Sequence, residues 1–343
     1  MKAWLLDGIH NLRLEKQPLR KANVQERMPQ KGEVLVRISC CGVCHTELDE
    51  IEGRTPPARY PVIPGHQIVG HVEEAGSDVK LPAGQRVGIA WIYSACGTCA
   101  FCLSGSENLC TGFRATGRDV NGGYADYITV PAAYTYSIPD YLTDAEAAPL
   151  LCAGAIGYRS VKLSQIETHG SVLGLAGFGA SNHLVLQLVR NMLPHVMVWV
   201  FARSKAEQEL ALELGATWAG DYRLTPPEPA DAIIDTTPAW LPVLTALQHL
   251  KPGGRLIINA IRKESDDANS LNNLDYARHL WMEKEVKSVA NITAADVREF
   301  LNRAALCKLR PVVQEYAMDE ANRALWEAKN QPARGARVLV NTL

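Results

Sequence analysis

Three cysteines and a histidine fall within six residues in the stretch "CCGVCH", which contains Cys40, Cys41, Cys44 and His45. Thiolates and imidazoles are the ligands that zinc and its neighbours take from proteins. A second group has a more explicit spacing. The stretch "CGTCAFCLSGSENLC" sets Cys96, Cys99, Cys102 and Cys110 in a C-x2-C-x2-C-x7-C array. Four thiolates complete a tetrahedral zinc site with no open position, so such a site braces a loop rather than reacts. An iron–sulfur cluster is the rival occupant, because it also takes closely spaced cysteines. Cys41 and Cys44 form a C-x-x-C pair, the spacing of a redox dithiol, but no strand–helix start of thioredoxin type surrounds them. Nine cysteines, seven of them between Cys40 and Cys110, point to metal ligation in a reducing compartment rather than to a disulfide framework.

The elements around these groups change character along the chain. Residues 33–39, "EVLVRIS", alternate apolar and polar like a half-buried strand. "QIVGHVEEAG" and "GQRVGIAWI" continue the strand-and-turn pattern, so the first ~140 residues read as mostly β. From about residue 144, "DAEAAPLLCAGAIGYRSVKL" reads as helical. The short apolar runs "SVLGLAGFG", "HVMVWVFARS", "ADAIIDTT" and "GGRLIINAI" then alternate with helical stretches. That alternation predicts a parallel sheet covered on both faces. Ser204 and Glu207 fit a capping box at one helix start, and Gly215 suits its end. A helical segment and a last strand, "GARVLV", follow residue 291. With 343 residues the chain has room for two domains. A net charge of −2 gives no footprint for nucleic acid or an anionic membrane. Without an apolar run of about 18 residues or a signal-peptide core, the reading is a cytoplasmic protein.

"GVCHTEL", "PVIPGHQIVG", the four-cysteine loop, "NGGYADYITVP", "LLCAGAIGYRSVK" and "GLAGFG" stand in the order seen in zinc-dependent alcohol dehydrogenases of the medium-chain family. The chain resembles that family over nearly its whole length. The resemblance implies an α/β architecture: a GroES-like β-rich catalytic domain over residues 1–153, to which 291–343 return, and a Rossmann doubly wound domain over 154–290. It implies two zinc ions per subunit. Cys44, His66 and Cys152 would hold the catalytic one, with a fourth position open to substrate. Cys96, Cys99, Cys102 and Cys110 would hold the structural one. Cys40 and Cys41 are expected to pack in the strand that leads to Cys44.

By the same resemblance Thr46 is the hydroxyl that bonds the substrate oxygen, and Glu47 is the carboxylate that orients His66. His45 and Arg337 would lie at the cofactor pyrophosphate, and Trp91 would line the substrate pocket. Two positions depart from the family pattern. Gln67 stands where a glutamate is usual, and Asp49 stands where many members end their proton relay with a histidine; Asp49 could still accept the proton, or nearby water could do so instead.

The turn Gly174, Ala176, Gly177, Phe178 and Gly179 follows a strand and precedes a helix, which suits a dinucleotide pyrophosphate. The second strand ends at Ala202, Arg203 and Ser204, with no acid to bond the ribose hydroxyls. Arg203 and Ser204 could instead receive a 2′-phosphate, which favours NADP(H) over NAD(H). The expectation is hydride transfer between a small primary or secondary alcohol and a nicotinamide cofactor, in a homodimer or homotetramer. The alternatives are a relative for polyols or cinnamyl-type alcohols, and an inactive zinc-stabilised sensor that binds the cofactor.

Overall fold

The computed structural model describes residues 1–331 and 335–341. The chain divides into two compact units, Met1–Ala155 together with the segment from Ile292 onward, and Ile156–Asn291.

The first unit is built on the strand Glu33–Val43. Its β-branched residues Val34, Val36 and Ile38 are fully buried, as a strand inside a core requires. It lies third in a seven-stranded sheet whose path runs Val313–Ala317, Ala336–Val340, Glu33–Val43, Ile68–Ala75, Arg86–Ile89 and Thr135–Ser137. Tyr127–Pro131 pairs with its first half, while Ala336–Val340 pairs with its second. The core beneath gathers Leu6, Ile51, Ile63, Val72, Tyr124 and Leu325.

The second unit carries six parallel strands in the order Trp218–Gly220, Met197–Phe201, Val172–Ala176, Ala230–Asp235, Leu250–Ile258 and Glu285–Ser288. Numbered along the unit this is 3-2-1-4-5-6, the doubly wound order, with its switch point between the first and fourth strands. The four apolar runs foreseen in the sequence are its inner strands. Val172, Leu173 and Leu175 are wholly buried, because strands covered on both faces need continuous apolar runs. The Ser204–Glu207 capping box forms at the start of the helix Lys205–Glu213. Among the described residues, no helix is long and apolar enough to cross a membrane.

The stretch from Asp144 is not one helix. Asp144–Ala147 is a single α-turn, Ala148–Leu151 is a 3-10 turn with Pro149 in it, and Ala153–Ser164 is a true helix. Cys152 sits at the break with φ −131° and ψ −72°.

Candidate active site

The strand Glu33–Val43 ends one residue before Cys44, and the helix His45–Ile51 begins one residue after it. Cys44 is the N-cap. Its Sγ accepts the Thr46 N–H at 3.3 Å, and its own N–H donates to Glu47 Oε2 at 2.9 Å. His66 comes from the segment leading into the neighbouring strand Ile68–Ala75, where Gly42 N–H donates to Gln67 O at 2.9 Å and Cys41 pairs with Ile68. Gly65, just before it, has φ +98°, and a Cβ there would lie 2.5 Å from the Tyr124 ring. Only glycine allows that turn into His66. Cys152 joins from the break before the helix Ala153–Ser164.

The donor atoms of Cys44, His66 and Cys152 lie within 4.8 Å of one another. Cys44 Sγ is 3.5 Å from His66 Nε2. A sulfur and a nitrogen at tetrahedral angles around zinc stand about 3.6 Å apart, so this set fits the ion. The Cys152 thiol and burial both hold the Cys44 thiol well above its usual range, so ionising Cys44 calls for a cation. His66 is fully buried, and its Nδ1 is 2.5 Å from Glu47 Oε1. That ion-pair contact is short but off the hydrogen-bond line. One Glu47 carboxylate thus reaches both Cys44 and His66.

The four-cysteine loop makes the second cluster, with all four sulfurs within 4.8 Å. Cys96 Sγ and Cys99 Sγ lie 3.8 Å and 3.6 Å from Cys102 Sγ. The edge of a zinc–thiolate tetrahedron is about 3.8 Å. Backbone N–H groups also aim at the sulfurs. Cys99 N–H donates to Cys96 Sγ at 3.4 Å, and Gly112 N–H to Cys110 Sγ at 3.2 Å. The Thr98 and Cys99 amides bring the Cys96 thiol down to about 5. The helix in this loop, Ala100–Leu103, has no buried residue, so packing alone does not hold it.

Cys40 and Cys41 are fully buried in their strand, outside both clusters. Thr46 is buried on the helix beside Cys44, and His45 is exposed. Trp91 packs edge-on to His66 at 6.4 Å between ring centroids. Arg337 is buried and pairs in register with Val43, next to Cys44. Gln67 is buried with its side chain lying over Gly42. Asp49, expected in the proton relay, is buried, and its carboxylate pairs with Arg54 Nε at 2.5 Å.

In the second unit, Gly174 and Ala176 lie in the strand Val172–Ala176, and only Gly177, Phe178 and Gly179 make the turn that follows it at the switch point. Gly177 has φ +79°, and nothing lies within 4 Å of a Cβ built at Gly179, so the backbone there is open to a ligand. Phe178 is buried, which leaves only its backbone for a cofactor. Ala202 is buried and Arg203 exposed. The Ser204 hydroxyl donates to Glu207 Oε2 at 2.8 Å and accepts the Glu207 N–H at 3.2 Å. It is engaged in the cap, which leaves no free hydroxyl proton for the phosphate expected there.

Several residues here had no sequence signal of their own. Asn182 Nδ2 donates to Gly177 O at 2.8 Å and to Thr236 Oγ1 at 3.2 Å, bracing the turn. Lys263 pairs with the buried Asp235 and donates to Thr237 O at 2.7 Å, beside the same strand ends. Ala202 N–H donates to Gly220 O at 2.9 Å, which brings the acid Asp221 alongside Arg203.

Comparison with known proteins decides the family. Residues 30–140 match the alcohol dehydrogenase GroES-like domain. The Mycobacterium tuberculosis (strain CDC 1551 / Oshkosh) protein named "Probable alcohol dehydrogenase AdhA" is 41% identical over 329 residues, 94% of this chain and 93% of that one. The chain belongs to the zinc-type medium-chain alcohol dehydrogenases. The alcohol dehydrogenase of the hyperthermophilic archaeon Aeropyrum pernix superposes with a TM-score of 0.86 at 26% identity, over 99% of this chain and 100% of that one. A Sinorhizobium meliloti 1021 zinc-binding dehydrogenase target, solved with NADP bound, gives a TM-score of 0.84 at 25% identity, over 99% and 98% of the two chains. As a member of this family the protein is an oxidoreductase acting on small alcohols or aldehydes.

Proposed function

We propose that this alcohol dehydrogenase exchanges a hydride between a primary or secondary alcohol and a nicotinamide cofactor. Cys44, His66 and Cys152 hold a catalytic zinc, and Cys96, Cys99, Cys102 and Cys110 hold a structural one. The observation that carries this reading is the meeting of one nitrogen and two sulfur donors from three separate segments, a set of three that leaves tetrahedral zinc one position for substrate.

When bound, zinc supplies Lewis acidity to the alcohol oxygen and the cofactor supplies the hydride acceptor. The chain does the rest. Glu47 keeps His66 oriented. Thr46, two residues beyond Cys44, takes the alcohol proton and hands it on to solvent, because Asp49 is engaged with Arg54. The Gly177–Gly179 turn receives the pyrophosphate on its open backbone, and the pyrophosphate role of His45 and Arg337 is carried over from the family. Arg203 meets a 2′-phosphate, which favours NADP(H); the NADP bound by the Sinorhizobium relative supports this preference. The fully exposed strand Glu285–Ser288 at the end of the parallel sheet supports a homodimer.

The test is metal content and turnover together. Mass spectrometry of the native protein should find two zincs per chain, and Cys44→Ser should keep one and lose aldehyde reduction. A variant with both metals and full turnover would overturn the assignment. Comparing kcat/KM for NADPH and NADH in the parent enzyme tests Arg203, and a strong NADH preference removes its role.

A further inference from the structure

Glu50 has no part in the metal centre described above, yet it is 1% exposed beside it. It lies on the same helix face as Glu47, three residues away, so two carboxyls crowd one buried surface. Neither Glu50 oxygen has a well-aligned hydrogen-bond partner among the described residues. Burial and the Glu47 charge push this carboxyl well above the usual carboxylate range, while His66, Arg118 and the Trp91 indole pull the other way. An apolar side chain would sit here at lower cost.

Trp91 carries the complementary defect. Its Nε1 is buried and likewise lacks an aligned partner. The indole ring is held on several sides. His66 meets it edge-on at 6.4 Å, Phe113 tilts against it at 5.5 Å, and the Arg118 guanidinium lies 5.1 Å from its centroid. An orphaned donor and two orphaned acceptor oxygens thus share one buried patch, with the Trp91 indole among the hydrogen-bonding neighbours of the Glu50 carboxyl.

We propose that Glu50 is a positioning residue: it accepts the Trp91 indole N–H and fixes the ring against His66, so that the pair sets which alcohols fit beside the metal. This rests on the reading of Trp91 as a wall of the alcohol pocket. A ring with its N–H anchored cannot swing aside for a bulky substrate, whereas an unanchored one can. Discrimination between short linear and aromatic alcohols therefore passes through Glu50.

The test combines kinetics with a spectroscopic signature. In Glu50→Leu the ratio of kcat/KM for a short linear alcohol over an aromatic one should fall about tenfold, through KM and not kcat. Glu50→Gln keeps an acceptor oxygen and should stay within about twofold of the parent. Trp91→Phe keeps the ring without the N–H and should reproduce the Glu50→Leu shift. The double variant should add nothing further, since both changes break one bond. In 15N-tryptophan spectra, the indole N–H signal lost in Trp91→Phe should be exchange-protected in the parent and in Glu50→Gln, and unprotected in Glu50→Leu. Additive kinetic effects, or an indole signal indifferent to Glu50, overturn the proposal. A coupled, protected indole in a protein that turns over no alcohol would instead overturn the dehydrogenase reading and leave the bond standing.

Discussion

Glu47 holds two proposed zinc donors with one carboxylate. Its Oε2 caps the helix through Cys44 N–H, and its Oε1 lies against His66 Nδ1. Glu47→Gln keeps a cap acceptor but removes the charge beside the imidazole. It should weaken retention of one zinc by roughly 10- to 100-fold in chelator competition, with the four-cysteine site untouched. Unchanged retention would take Glu47 out of the centre. Asp49 makes the opposite case. Breaking its pair with Arg54, as Asp49→Asn does, should cost roughly 2 to 4 kcal/mol in urea unfolding and leave the pH dependence of turnover alone. A displaced pH limb at undiminished stability would return Asp49 to the proton path. The motif around Cys44 made Glu47 and His66 legible in the sequence, because they sit at fixed places in a recurrent pattern. Arg54 was not legible. It lies beyond the helix end and reaches back to both Asp49 and Glu52, a contact that no 3.6-residue period announces.

The buried parallel strands could be read from their apolar runs, because both of their faces must be covered. The strands Trp218–Gly220, Glu285–Ser288 and Val313–Ala317 could not. The first has three residues, the second is exposed at all four positions, and the third is mostly exposed. The break at Cys152 was hidden for another reason. Alanines and leucines around it favour helix, and only Pro149 hints that the turn tightens. Helix starts also carry a pH signature. His183, in the first turn of Ala180–Met192, is buried, and burial lowers its pKa from 6.5 to about 4. Between those values the unfolded chain binds a proton that the folded chain refuses. Its contribution is therefore intact at neutral pH and is lost as pH falls, by about 2 kcal/mol between pH 7 and 5. His183→Leu should flatten that part of the stability–pH curve. An unchanged slope would mean that the imidazole charges freely within the fold.

At the scale of the molecule, the strand Glu285–Ser288 is an open edge flanked by exposed Tyr276, Trp281 and Met282. Such edges seldom stay bare in proteins that remain dispersed. An antiparallel two-fold pairing centred on Val286 would set Glu285 across from Lys287 of a second copy, matching charge to charge. Val286→Pro should turn a dimer into a monomer by light scattering without loss of zinc. A parent protein that is monomeric at micromolar concentration rules the pairing out. The other sheet has a different history written into its order. Ala336–Val340 lies between Val313–Ala317 and Glu33–Val43, so an interior place is filled by a strand from far later in the chain than its central neighbour. On the ribosome, all seven proposed zinc donors emerge before residue 153, while the strand that delivers Cys44 still waits for its neighbour. The contiguous unit Ile156–Asn291 has all six of its strands in hand before Ala336–Val340 is made. The nascent enzyme therefore carries its thiols on an unfinished sheet until that strand arrives. A chain truncated before Ala336 would lack the strand beside the proposed metal centre, not a dispensable tail.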